Sequence, residues 1–110
     1  MELDVRLGQR SLSIPIENPY RIDAGAMESR IGEFAKEQGA ALNGLDVRGL
    51  LPLMIRGVVG CEEGCPANAK QLVERGFRDF SLEYVEGGIL TATAKAQNGT
   101  PLILKLFPDF

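Results

Sequence analysis

Two cysteines, Cys61 and Cys65, stand four residues apart in the stretch Gly60-Cys61-Glu62-Glu63-Gly64-Cys65-Pro66. No other residues of this chain have types and spacing so well suited to chemistry. As a pair they can cycle between dithiol and disulfide, or hold a thiophilic metal as thiolates. A thiol at the start of a helix is biased toward thiolate, because the free backbone N–H groups there favour negative charge. The bias is modest. An exposed helix end contributes about 0.3–1 kcal/mol, less than one pKa unit at ~1.36 kcal/mol per unit. Glu62 and Glu63, between the thiols, oppose it by a similar amount. A disulfide closing so short a loop stabilises a fold by only ~2 kcal/mol, so a bridge here matters more for redox state than for folding.

Zinc in structural sites and iron–sulfur clusters are commonly held by four ligands, and this chain supplies two thiols. A thiophilic metal would therefore be shared across a homodimer, whose two-fold axis doubles the ligand set. Gly60 and Gly64 allow a tight bend, and Pro66 suits the first turn of a helix, where its missing N–H is no loss. The same glycines and helix start resemble an anion cradle, but the two glutamates repel a phosphate. The plain alternative is that both cysteines are small residues packing a corner of the fold. The segment Cys61–Pro66 resembles the CxxxCP loop of the copper chaperones that mature cytochrome oxidase, thioredoxin-like proteins in which this loop joins a strand to a helix. The resemblance spans six residues of 110, and the histidine that family requires is absent, so copper binding is not carried over.

What the chain lacks narrows its function further. With no histidine, Ser-His and Cys-His catalysis and imidazole metal ligation are excluded. Ser11, Ser13, Thr91 and Thr93 have no base beside them, and no carboxylate pair has the spacing of a general acid and base, so an enzyme is disfavoured. A net charge of −3 argues against a nucleic-acid clamp, which needs a basic face. No apolar run reaches the ~18 residues of a membrane span. The opening Met-Glu-Leu-Asp-Val-Arg alternates instead of presenting a basic end and an apolar stretch, so a signal peptide is not expected and the chain is read as cytoplasmic. Asn98-Gly99-Thr100 matches a glycosylation sequon but reads better as a hairpin turn.

At 110 residues, 45% hydrophobic and 25% charged, the chain has the size and composition of one globular domain, residues 1–110. Leu3, Val5 and Leu7 alternate with polar residues, and so do Leu12, Ile14 and Ile16 after a break at Gly8-Gln9-Arg10, which predicts a β-hairpin. Pro15 cannot donate to a ladder, so the second strand belongs at an edge or ends early. The period then changes. Asp23 caps a helix over Ala24–Gln38 that stops at Gly39. Residues 40 to 50 read as a loop or short helical turn. Leu51 to Val59 is continuously apolar, and with Pro52 and Gly57 inside it reads as a strand covered on both faces. This strand, the cysteine loop and a helix over Ala67–Arg75 form a strand–loop–helix junction. Phe80, Leu82 and Tyr84, then Leu90, Ala92 and Ala94, then Leu102, Leu104 and Leu106 share one face of a three-stranded antiparallel meander.

The expected order is ββ-α-β-α-βββ, an α+β domain with helices on one face of a mainly antiparallel sheet. Two functions follow. One is a thiol module, with Cys61 and Cys65 as a reversible dithiol or a metal site. The other is a non-enzymatic interaction or assembly domain, with the cysteines purely structural. It would use the sheet face or last strand, where Ile103, Phe107 and Phe110 lie beside Leu102, Leu104 and Leu106 and an edge is exposed, against another protein or a second copy.

Overall fold

The structure, a computed structural model, describes residues 1–42, 44–58, 65–75, 77–85 and 89–107. The alternating segments pair as their patterns require. Strands β1 (Glu2–Leu7) and β2 (Arg10–Pro15) form a hairpin across the two-residue turn Gly8-Gln9. Strands β3 (Ser81–Val85), β4 (Ile89–Lys95) and β5 (Pro101–Phe107) form the meander. The two units join into one antiparallel sheet of order β2-β1-β5-β4-β3, with β1 pairing β5 from Glu2↔Phe107 to Leu7↔Leu102. The α+β class, the hairpin and the meander are thus as the sequence predicts. The last strand, however, lies at the centre of the sheet. It exposes a face and no edge.

β2 is an edge strand, and its register explains why Pro15 is tolerated there. The tight turn makes Leu7–Arg10 the closing pair, and Ile16 N–H donates to the Met1 carbonyl at 2.8 Å. Even-numbered residues of β2 therefore bond toward β1, while Ser11, Ser13 and Pro15 turn their backbone groups outward. Pro15 removes an outward N–H, which blunts this edge against strand addition.

Helix α1 (Ala24–Glu37) starts as predicted, with the Asp23 side chain accepting from Ala26 N–H at 3.0 Å. It ends in a Schellman motif, in which Gly39 N–H donates to Lys36 O and Ala40 N–H to Ala35 O. Gly39 sits at φ +72°, the left-handed conformation this closure needs.

The main departure from the sequence reading is the apolar segment 51–59. Its described part, residues 51–58, belongs to a helix, α2 (Val47–Val58), and the order of elements is ββ-ααα-βββ. Val47, Leu50, Leu51, Met54, Ile55 and Val58 are all buried, at successive offsets of three, one, three, one and three, which trace a single helical stripe. Asp46 caps the helix, accepting from Gly49 N–H at 2.8 Å while its carbonyl receives Leu50 N–H at 3.1 Å. A Cβ at Gly49 would lie 2.5 Å from the Asp46 carboxylate, so glycine there keeps the cap seated. Pro52 denies the Arg48 carbonyl its helical donor, a cost of about 3 kcal/mol. Burying six apolar side chains at roughly 1.5–3 kcal/mol each outweighs it. A third helix, α3 (Cys65–Arg75), begins two residues before the expected Ala67.

All three helices pack on one side of the sheet. Leu3, Val5, Leu7, Leu90, Ala92, Leu102, Leu104 and Leu106 point into this side, where they join the α2 stripe, Ile31 and Ala35 of α1 and Leu72 of α3. A long-range polar bond joins α1 and α2, from Arg48 N–H to the Glu28 carboxylate at 3.0 Å. Glu28 thus ties α1 to the first turn of α2. Among the described residues no buried side-chain polar atom lacks a partner, and no helix is long and apolar enough to cross a membrane.

Candidate functional site

The described element before the cysteine segment is helix α2, which ends at Val58, and not the expected strand; the one after it is helix α3, from Cys65. An antiparallel sheet with no parallel crossover also departs from the thioredoxin-like framework of the CxxxCP loop. Cys65 and Pro66 are the first two residues of α3. Cys61, Gly60, Gly64 and Phe110 lie outside the described residues. Among those described, no three His, Cys, Asp or Glu residues gather as a metal site would require.

The structure does place Ile103 and Phe107. Because β5 is central and its Leu102, Leu104 and Leu106 face the helices, the odd-numbered residues Ile103, Lys105 and Phe107 occupy the middle of the opposite, uncovered face. Pairing across the sheet fixes their neighbours. One row runs Ser13, Asp4, Lys105, Thr91, Glu83. A second runs Ser11, Arg6, Ile103, Thr93, Ser81. At one end Pro15, Glu2 and Phe107 lie abreast, with Ile89 and Val85 paired alongside; at the other, Lys95 is opposite Pro101.

This face is amphipathic. Val85 and Phe107 are 42% and 36% exposed, Ile89 is half-buried beside Val85, and Ile103 is half-buried between Arg6 and Thr93. Arg6 Nε donates to the Asp4 carboxylate at 3.1 Å, with Asp4 the more buried partner. Lys105 stands directly across the strand from Asp4. Exposed pairs of this kind contribute about 0–1 kcal/mol to stability. Their effect is a patterned charge at the centre of the face. Three acids (Glu2, Asp4, Glu83) and three bases (Arg6, Lys95, Lys105) occupy the face, which is neutral on a chain of charge −3. Sequence alternation shows Ile103 and Phe107 to share a face. It does not reveal Asp4, Arg6 and Lys105 as their neighbours, because that depends on the long-range β1–β5 register.

The helical side carries a second concavity, an open cleft of about 610 Å³ between α1 and residues 40–47, with Gly32, Leu42, Leu45 and Val47 among its walls. Its carboxylate, Glu28, is engaged with Arg48 N–H, and none of the described residues lining it is a cysteine. Ser29 and Lys36 also line it.

Searches against protein-family models, curated proteins and solved structures find no match to this chain.

Proposed function

We propose that this chain is a non-enzymatic interaction module that binds through the open face of its sheet. One observation carries the reading: all three helices lie on one side of a five-stranded sheet, leaving Phe107, Val85, Ile89 and Ile103 on a bare surface whose centre is the best-supported strand of the fold. Pro15 blunts β2, one of the two edges of the sheet, against association by strand addition. Photo-cross-linking tests it. A cross-linking residue at position 107 or 93 yields adducts in native extract, and one at Glu33 on the exposed side of α1 does not. Adducts from position 33 alone would count against the open face.

A second reading retains the cysteines. α3 begins at Cys65, and a helix start is where a thiol gains thiolate character. In a cytoplasmic setting Cys61 and Cys65 would form a reversible dithiol, giving up two protons and two electrons to a partner disulfide by exchange, or would ligate a thiophilic metal. Mass spectrometry after alkylation, with native metal analysis, decides between them. Two unreactive thiols and no bound metal would end this second reading and leave the first untouched.

A further inference from the structure

Resting on the open-face reading above, we infer that the occupant of this face is a second copy of the same chain, packed sheet against sheet about a two-fold axis. A foreign partner of strong charge calls for a face of one sign. This face is neutral and alternates, and its pattern can be complementary to itself about a dyad. With the axis perpendicular to the strands, crossing β5 midway between Ile103 and Lys105, each strand meets its own copy running the opposite way. Asp4 of one copy then meets Arg6 of the other, twice by symmetry. Phe107 meets Pro101, Thr91 meets Thr93, Glu83 meets Ser81, and Lys105 covers Ile103.

No two like charges face each other in this placement. An axis along the strands midway between β1 and β5 also opposes no like charges, setting Asp4 against Lys105 and Arg6 against Ile103, and the charge exchange at positions 4 and 6 separates it from the placement above. Two other placements fail on that count. An axis through Lys105 perpendicular to the strands sets Asp4 against Asp4, Glu83 against Glu83 and Lys105 against Lys105. An axis along β5 again opposes the two Lys105 side chains. Aligned sheets cross at about 30°, which preserves this register at the three central strands β1, β5 and β4 and relaxes it at the outer ones.

The face is small for a dimer interface. Five strands at about 4.8 Å spacing and about six residues at ~3.3 Å give a face of about 24 by 20 Å. Two such faces bury about 1,000 Å² in total, at the lower bound for a specific interface and well below the area of obligate dimers. The geometry also separates this dimer from a shared metal. The helical layers, with the start of α3 in each, lie on the two outer surfaces, so the copies do not bring their Cys65 residues together.

Sedimentation velocity across about 10 µM to 1 mM, the span over which an interface of this size dissociates, provides the test. The wild-type chain of 11.9 kDa is expected to shift toward twice that mass. Arg6→Glu and Asp4→Lys should each weaken association at least tenfold while retaining wild-type circular dichroism. An equimolar mixture of the two should regain it, because Asp4 of one variant meets Arg6 of the other and Glu meets Lys at the second pair. Phe107→Ser, at a partly exposed position at the end of β5, should weaken it several-fold and serves as control if Asp4→Lys folds poorly. A wild-type chain monomeric to about 1 mM overturns the second copy while leaving the open face to be judged by its cross-links. Association that survives both Arg6→Glu and Phe107→Ser overturns it too, and places the contact on another surface.

Discussion

Leu104→Ala should lower the unfolding free energy by about 3 kcal/mol, within the range of about 2–5 for a buried leucine, whereas Ile103→Ala, one residue away, should cost about 1 or less. The contrast follows from the one-sided sheet. Leu104 is fully buried beneath the helices at the middle of the central strand, with Val5 and Ala92 as its lateral neighbours. Its truncation leaves a cavity that β1 and β4, both hydrogen-bonded to β5, cannot collapse to fill. Ile103 stands on the uncovered face beside Arg6 and Thr93, where solvent already reaches it. A domain of this size is held by roughly 5–15 kcal/mol, so the first change removes a large share and the second little. Urea unfolding of both variants measures the difference. Similar losses at the two positions would mean that a layer covers both faces.

Leu51→Ala and Leu53→Ala form a second contrast, this one between helix and strand. In a strand, residues 51, 53 and 55 share a face and should be equally sensitive. In α2, Leu51 and Ile55 lie on the buried stripe with Met54, while Leu53 is turned partly to solvent. Leu51→Ala is therefore expected to cost about 3 kcal/mol and Leu53→Ala about 1. Thermal and urea unfolding read both. Equal costs at 51 and 53 would favour the strand.

That segment also shows where sequence reasoning reached its limit. Alternation at period two was legible in β1, β2, β4 and β5 because each has one buried and one wet face, and Gly8-Gln9 and Asn98-Gly99 mark the turns between them. Helix α1 was legible from its cap and from Gly39. In α2 the period was present but hidden. A window opened at Leu51 shows only a continuous apolar run. Opened at Val47, it shows the three-and-four spacing of residues 47, 50, 51, 54, 55 and 58, preceded by a capping aspartate at 46. Pro52 and Gly57 pointed away from a helix, and tertiary burial overrode them.

The site was legible to the same depth. Ile103 and Phe107 could be placed on a common face from local alternation. The charged pattern around them could not, because Asp4 and Lys105 are a hundred residues apart and become neighbours only when the N-terminal hairpin joins the meander. Local propensity carries no information about which strands meet at that range; shared burial of Leu3, Val5 and Leu7 with Leu102, Leu104 and Leu106 supplies it.

The use of the open face is tested most directly by placing photo-cross-linking residues one at a time at Ser13, Thr93 and Phe107 on that face and at Glu33, Glu37 and Gln71 on the exposed surface of the helices. Adducts, whether with a second copy or with another protein, are expected from the first three positions and not from the last three. The reverse pattern, with adducts confined to the helical side, would contradict it.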